Sequence, residues 1–243
     1  MKKLFLIIYI VILASCDSDS IKDCFSNPGT TITNTYQIEN FEKLHVSEGI
    51  EVYIQQAAIP EIKIEVGKNI KNHIEYYVSN NELFLKNKLE CKLGATKAAK
   101  ITVFVPNLTH IHSISQFQLQ SLNTLYFPEL NIYHGIISES ASGIINLNLN
   151  ATNIIVETNN SSLIQLSGTA NNLTVNFWGG NAKIQASQLI AQNIYVLHRS
   201  TNHMYLNPMQ SIQGDIYGVG NIYLNHIPSI IQVNQHYTGR LIY

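Results

Sequence analysis

Four consecutive blocks of 20 residues decide the fold. They read SSLIQLSGTANNLTVNFWGG (161–180), NAKIQASQLIAQNIYVLHRS (181–200), TNHMYLNPMQSIQGDIYGVG (201–220) and NIYLNHIPSIIQVNQHYTGR (221–240). Small or turn-forming residues stand at each block boundary. When the blocks are aligned with the residues before them, one column is apolar throughout: Ile144, Ile164, Ile184, Met204 and Leu224.

Two further patterns repeat in the same alignment. A second column begins with Leu166, Ala186 and Leu206 and then meets His226. A pair of apolar residues also recurs later in the blocks, drifting by one or two positions: Leu173/Val175, Ile194/Val196 and Ile231/Val233. A repeat of this length, with short apolar pairs separated by turns, is typical of a β-solenoid.

Stacking explains the composition of this half of the chain. Coils of a solenoid repeat at ~4.8 Å, so equivalent side chains lie directly above one another. Stacked asparagines can form hydrogen-bonded ladders, whereas stacked charges repel, and charged residues are only 13% of the chain. We therefore predict an all-β solenoid. The alternative is a β-sandwich, which also has short alternating strands but does not require a fixed 20-residue column.

The segment before the repeats alternates apolar and polar residues, which predicts strands with one side on a core. Ile70, Ile74 and Tyr77 have helical spacing, so we expect one short helix around residues 68–76. The N-terminal third is predicted to be a β-rich layer with the strands 41–46, 50–54, 62–66, 83–85 and 101–105.

The first residues have the layout of a secretory signal peptide: two lysines, an apolar run from Leu4 to Leu13, and Ala14-Ser15. Leu13-Ala14-Ser15-Cys16 also resembles the lipobox of bacterial lipoproteins, in which the cysteine receives a diacylglycerol. That resemblance implies a signal peptide over residues 1–15, a lipid on Cys16 and a membrane as partner. Two or more acyl chains anchor a protein stably. We expect the protein to be anchored in the outer membrane, either on its periplasmic face or on the cell surface.

Residues 16–35 are polar and contain Pro28 and Gly29, which predicts a tether in front of a domain spanning residues 36–243. Beyond Cys16, two cysteines remain, Cys24 and Cys91. Outside the cytoplasm they can form a disulfide. The alternative is two unpaired thiols.

The search for a catalytic or metal site gives no constellation. Glu139 and Glu157 lie about one coil apart, and with Asp215 they are the acids that an enzyme acting on polysaccharides would use. The alternative is that these acids are turn residues exposed to solvent. His110 and His112 are too few to form a metal centre. We predict no catalytic residues, no metal and no cofactor. The net charge of −1 argues against a nucleic-acid partner.

Aromatic residues recur through the later coils and form the predicted binding surface. If they point outward, they offer aromatic strips for sugar rings or protein partners. Alternatively, they cover adjacent coils. These residues are Trp178, Tyr195, Tyr205, Tyr217 and Tyr223.

The segment 41–54, FEKLHVSEGIEVYI, resembles the opening of the head-GIN-domain family, found in lipoproteins of Bacteroidetes and described as putative auto-transporter adhesins. The family's Gly-Ile-Asn is here Gly49-Ile50-Glu51. The resemblance continues through 83–85 and 101–108, and only remnants of the family's Ser-Gly turns follow, at 141–143, 178–181 and 218–221. It implies a right-handed β-helix, an adhesin-like role and no catalytic residues.

Three functions are consistent with the sequence. The first is a lipid-anchored, non-enzymatic module that binds a protein or a glycan through its long sheet faces, in the manner of an adhesin. The second is a structural or regulatory component of the periplasm. The third is a β-helix enzyme that acts on polysaccharides.

Overall fold

The computed structural model describes residues 27–89, 98–136 and 141–243. In these ranges the chain forms one continuous sheet of eighteen strands, wound into a β-solenoid of about six turns. The predicted all-β solenoid is therefore confirmed. No helix in the described ranges is long and apolar enough to cross a bilayer.

The strands before the repeats are mostly short. One turn of 3₁₀ helix, Lys71–His73, interrupts them. They are β1 (Thr31–Gln37), β2 (Lys43–Val46), β3 (Ile50–Gln56), β4 (Glu61–Gly67), β5 (Ile74–Ser79), β6 (Glu82–Asn87), β7 (Ala99–Val105), β8 (His110–Ser113), β9 (Leu119–Ser121) and β10 (Glu129–His134).

The repeats form three long strands and then shorter ones. The long strands of 15 or 16 residues bend around a corner of the coil, so each contributes to two faces. The strands are β11 (Ile144–Thr158), β12 (Leu163–Phe177), β13 (Lys183–His198), β14 (Met204–Leu206), β15 (Pro208–Ile216), β16 (Ile222–Leu224), β17 (Ile230–Gln235) and β18 (Leu241–Ile242).

The strands build two faces. The first face runs in the order β1, β4, β7, β3 and β9, continues through the first halves of β11–β13, and ends with β14, β16 and β18. The second face runs β5, β6, β2, β8 and β10, continues through the second halves of β11–β13, and ends with β15 and β17. Apart from the antiparallel pairs at the N-terminal end, the pairing is parallel.

The corner between the faces follows from a slip in the alternation of buried and exposed residues. Two successive residues of each long strand point away from the core, such as Thr152–Asn153 in β11 and Asn171–Asn172 in β12. Because side chains alternate along a strand, this slip turns the second half so that its apolar residues again face inward. The second outward residue at each corner is an asparagine: Asn153, Asn172 and Asn193.

The apolar column predicted from the blocks is real at its centre and displaced at its ends. Ile164, Ile184 and Met204 are stacked in register and fully buried. Ile145 precedes them and Ile222 follows, whereas Ile144 is exposed and Leu224 pairs with Leu206. His226 accordingly does not join the second column. Successive members of the column lie 19, 20, 20 and 18 residues apart, so a fixed spacing of 20 misplaces the outer coils.

Two of the later apolar pairs, Leu173/Val175 and Ile194/Val196, are buried in the core of the second face, whereas Ile231 in the last coil is exposed and Val233 is only partly buried. Leu173 stacks on Ile194, and Val175 stacks on Val196. The next coils place Ile231 over Ile212 and Val233 over Gly214. Only Gly214 interrupts this apolar stack.

The predicted helix at 68–76 is wrong. The 3₁₀ turn Lys71–His73 is the only helical element in the described ranges, and Ile74 begins β5. β5 pairs antiparallel with β6 through a turn at Asn80 and Asn81, both of which have positive φ. This hairpin places Val78 beside the buried Leu83. The apolar residues whose spacing predicted a helix therefore belong to a strand in which buried and exposed positions alternate only weakly.

The predicted tether also ends earlier than expected. Thr31–Gln37 forms β1, which pairs antiparallel with β4 along its whole length. Most of β1 is exposed because it lies at the edge of the first face. Folded structure therefore begins before Tyr36.

Candidate binding surface

The corner asparagines form a hydrogen-bonded ladder along the second face. Asn172 Nδ2 donates to Asn153 Oδ1 at 2.8 Å, and Asn193 Nδ2 donates to Asn172 Oδ1 at 3.2 Å. At one end Asn153 Nδ2 donates to Glu129 Oε1 at 3.0 Å, and at the other Ser211 Oγ donates to Asn193 Oδ1 at 2.8 Å. Every donor points towards Glu129. This ladder confirms that stacked asparagines serve the solenoid.

A shallow depression of about 340 Å³ opens next to the ladder. The second outward column passes through it, because Thr174, Tyr195 and Gln213 occupy equivalent positions in successive coils. The Tyr195 side chain is 46% exposed. The depression is lined by Asn172, Leu173, Thr174, Asn193, Ile194, Tyr195, Ser211 and Gln213.

The far edge of the second face carries a stack of aromatic and cationic side chains. Trp178, Arg199, Tyr217 and His236 each follow the last residue of a strand on this face, and these last residues are in register. The Arg199 guanidinium lies over the Tyr217 ring at 5.0 Å, and the rings of Tyr217 and His236 stack at 4.2 Å with 6° between their planes. All four side chains are exposed.

Two carboxylates fix this edge. Glu157 accepts a hydrogen bond from Trp178 Nε1 at 3.0 Å. Asp215 Oδ1 lies 2.7 Å from His236 Nε2, and Asn234 Nδ2 donates to the same oxygen at 3.1 Å. The hydrogen bonds from His236 and Asn234 lower the pKa of Asp215. Both acids are therefore engaged in holding surface side chains.

Tyr205 and Tyr223 lie on the first face, across the turn from that edge. Their rings stack at 5.1 Å with 11° between the planes, and Lys183 Nζ lies 5.1 Å from the Tyr205 centroid. His203 contacts both rings edge-on, and its Nδ1 accepts a hydrogen bond from the Asn221 backbone N–H. The two tyrosines are half-buried, so here the rings cover adjacent coils.

The five aromatic residues predicted to form a binding surface are thus divided. Trp178, Tyr195 and Tyr217 are exposed on the second face, whereas Tyr205 and Tyr223 form a separate pair on the first face. Arg199 and His236 belong to the exposed edge but were not predicted. In the 20-residue alignment Tyr217 falls in the column of Leu197 and Tyr237. Arg199 and His236 come beside it only because these coils are 18 and 19 residues long, so the sequence alone gives no signal for them.

A column of aromatic side chains, which was not predicted from the sequence, lies at the N-terminal end of the second face. Tyr77 and Phe84 stack at 5.0 Å, and His45 contacts Phe84 at 5.3 Å and His112 at 4.6 Å. The register continues from His112 to Tyr133. Burial, with help from His112 and Lys86, lowers the pKa of His45 to about 4. The column runs through β5, β6, β2, β8 and β10, so its order in space differs from its order in the chain.

Beside this column lies a second depression of about 300 Å³. Asn131 Nδ2 and His110 Nε2 are 3.3 Å apart there, and the rings of His110 and Tyr133 stack loosely at 6.2 Å. Burial lowers the pKa of both His110 and His112. The lining residues are Lys43, Glu82, His110, His112, Tyr133 and Ile136.

The acids considered for catalysis do not meet. Glu157 and Asp215 share one outward column, but Asn176 and Leu197 stand between them. Three strand spacings separate their backbones by about 14 Å, whereas paired glycosidase carboxylates lie roughly 5–9.5 Å apart. Glu139 lies outside the described residues. In the described ranges no group of three or more His, Cys, Asp or Glu is arranged to hold a metal ion.

Two histidines lie inside the solenoid, in the column that also contains Thr158 and Phe177. His134 Nδ1 is 2.9 Å from the Ser113 carbonyl oxygen, while His134 Nε2 and both nitrogens of His198 have no hydrogen-bond partner among the described residues. Burial lowers the pKa of each to about 4. Because both rings are buried and their pKa values lie well below 7, both histidines are neutral core residues at neutral pH.

The cysteines lie outside the described residues. Cys16 and Cys24 precede residue 27, and Cys91 falls between residues 89 and 98. The lipid on Cys16 and the Cys24–Cys91 disulfide remain predictions from the sequence.

Comparison with known proteins identifies a family. The family model described as "Putative auto-transporter adhesin, head GIN domain" matches residues 40–228. A search of curated proteins finds no significant match.

Solved structures share the fold at low sequence identity. A putative adhesin from Bacteroides fragilis NCTC 9343 superposes with a TM-score of 0.77 at 23% identity, covering 87% of this chain and 96% of that one. A putative lipid binding protein from Parabacteroides distasonis ATCC 8503 gives 0.64 at 15% identity, covering 88% and 98%. A putative adhesin from Parabacteroides merdae ATCC 43184 gives 0.60 at 15% identity, covering 88% and 97%.

Proposed function

Because the chain belongs to the head GIN domain family, described as a putative auto-transporter adhesin, we propose that it is a non-enzymatic, adhesin-like binding module. A lipid on Cys16 holds it in the outer membrane, and its second face binds the partner. The names of the family and of the similar structures favour a role at the cell envelope.

One observation carries the proposal. The exposed side chains at the edge of the second face are held in place by neighbouring side chains, and these neighbours are not arranged for catalysis. Trp178 is fixed by Glu157, and Tyr217 lies between Arg199 and His236. Side chains ordered before binding lose less conformational entropy when a partner arrives. A rigid, extended sheet face of this kind suits a binding surface.

The separation of the acids supports a role without catalysis. Glu157 and Asp215 are each occupied by hydrogen bonds to surface side chains and stand three coils apart. Hydrolysis of a glycosidic bond needs two carboxyl groups on either side of one bond. Substituting both acids by amides should therefore leave polysaccharide turnover by the protein at background level, as in the wild type. Turnover that requires either acid would contradict a non-enzymatic function.

Location and anchoring are tested on intact cells. The full chain with a C-terminal epitope is expressed in a Bacteroidetes host and labelled with a palmitate analogue, with Cys16→Ser as the control. We expect label on the wild type only, and release of the epitope when protease is added outside the cells. An epitope that resists protease until lysis would overturn the surface adhesin and favour a periplasmic structural or regulatory component.

Binding is tested through the second face. Cells displaying the wild type are compared, for adhesion to immobilised mucus glycoproteins and epithelial cells, with cells displaying Trp178→Ala/Tyr195→Ala. The control is Tyr126→Ala, since Tyr126 is 62% exposed and lies in the connection between β9 and β10. We expect the double variant alone to lose adhesion. Equal adhesion by all three would contradict the proposal.

A further inference from the structure

The stacking geometry decides which rings can receive a ligand. The rings of Tyr205 and Tyr223 cover each other, and the Tyr217 ring has His236 over one face and Arg199 over the other. A planar or pyranose group cannot stack on a ring face that is already covered. In the described part of the chain, no other ring and no cation lies over Trp178 or Tyr195, which are 48% and 46% exposed.

A lattice of amide and hydroxyl groups lies beside Tyr195, level with it or two residues earlier along the strands, on the side away from Trp178. Asn172 and Asn193 each use one N–H and one oxygen lone pair in the ladder. A carboxamide has two N–H donors and two acceptor lone pairs, so each retains a donor and an acceptor for a ligand. Thr174 and Gln213 add further groups in the same depression. Donors and acceptors alternate closely on this surface, as the hydroxyl groups of a sugar require.

The charges around this lattice are few and already paired. Glu157 accepts from Trp178, Asp215 is bonded to His236, and Arg199 lies over Tyr217. An anionic polymer requires a cluster of cationic side chains, and none lines the depression. The buried core of a protein interface is more apolar than the rest of the surface, whereas most of the side chains that line this depression are polar.

We infer that this surface, which runs from the amides of Asn172, Asn193 and Gln213 past Tyr195 to Trp178, binds a neutral polysaccharide chain. The inference rests on the proposed function and names the class of ligand for the same face. Sugar rings stack on the two aromatic side chains, and the hydroxyl groups of the sugar next to Tyr195 bond to the amides beside it.

The spacing of the rings sets the length of ligand. Tyr195 is in register with Thr174, and Trp178 stands four residues further along the neighbouring strand. Four residues of strand cover about 13 Å. One sugar ring cannot contact both aromatic side chains, so binding by oligosaccharides should be tighter than binding by monosaccharides.

Affinity gel electrophoresis with dissolved polysaccharides tests the inference. The protein is run through gels containing dextran, mannan, laminarin or xylan, with heparin as the anionic comparison. We expect at least one neutral polymer to retard the wild type and Trp178→Ala/Tyr195→Ala to bind it at least tenfold more weakly. Trp178→Phe should retain most of the retardation because it keeps a ring face, and Tyr126→Ala should match the wild type.

The alternatives give different results. If no neutral polymer retards the wild type, or the double variant is retarded equally, the inference is overturned. If heparin alone retards it, the assignment of a neutral ligand is wrong. If the double variant loses adhesion to cells while no polysaccharide binds, the proposed function stands and the partner is a protein.

Discussion

Asn172 Nδ2 donates a hydrogen bond to Asn153 Oδ1 at 2.8 Å, one coil away along the solenoid. The same amide accepts from Asn193 at 3.2 Å, so Asn172 is the centre of the ladder. Both bonds depend on one register, because a shift of one residue would move the side chain to the opposite side of the strand. The ladder therefore ties the position of the corner in one coil to its position in the next.

Asn172→Asp should destabilise the solenoid by about 1–2 kcal/mol. At neutral pH the new carboxylate still accepts from Asn193, but it has lost its donor and faces the Asn153 oxygen. Asn171→Asp is the matched control, since Asn171 is the other outward residue of the same corner. Urea unfolding at pH 7 measures the difference. Equal midpoints for the two variants would show that the ladder contributes nothing to stability.

Gly214→Ala should be among the most damaging small substitutions. Gly214 has φ +130°, and a Cβ there would lie 1.9 Å from the Val196 carbonyl oxygen. Both the backbone strain and the overlap oppose folding, so we expect a loss of ~3 kcal/mol or more. The control is Gly179→Ala, because a Cβ at Gly179 would meet no atom within 4 Å. A thermal midpoint for Gly214→Ala within 2 °C of that control would contradict the expectation.

The buried histidines should make the protein sensitive to acid. In the folded state the pKa of His134 and of His198 is about 4, whereas an unfolded histidine has a pKa of about 6.5. The unfolded chain therefore binds protons first as the pH falls. The stability from keeping each ring neutral is fully present above pH 6.5 and is lost between 6.5 and about 4, at about 3 kcal/mol per histidine.

Urea unfolding across this pH range tests the histidine prediction. His198→Phe should flatten the dependence of the unfolding free energy on pH, because the phenyl ring takes up no proton. His226→Gln serves as the control, since His226 is exposed. If His198→Phe and the wild type lose stability in parallel from pH 7 to pH 4.5, the buried histidine is not the source of the acid sensitivity.

The centre of the fold could be predicted from the sequence because neighbouring repeats are also neighbouring coils. Ile164, Ile184 and Met204 are consecutive in the aligned blocks and consecutive in space. Where the coil length changes, a fixed spacing points to the wrong residue, and Ile222 rather than Leu224 continues the column. At Ile74–Ser79 a β-hairpin covers this end of the solenoid where a helix was predicted. The spacing of a few apolar residues does not distinguish a short helix from a strand.

The candidate surface was predictable in part for the same reason. Trp178 and Tyr195 lie in the repeats, where outward positions can be estimated from the alternation. Whether the face of a ring is free to bind depends on the side chain that stacks on it from the next coil. That neighbour can be identified only when the strand register is known. The column from Tyr77 to Tyr133 could not be predicted, because β2 lies between β6 and β8 although it precedes both in the chain.

The uniform direction of the amide ladder gives the second face an electrical polarity. Each amide dipole adds to the next, from Ser211 through Asn193, Asn172 and Asn153 to the carboxylate of Glu129. The two ends of the surface therefore differ, even though the coils repeat. A chain molecule with distinct ends, laid along this row, would be recognised in one direction and not in the reverse.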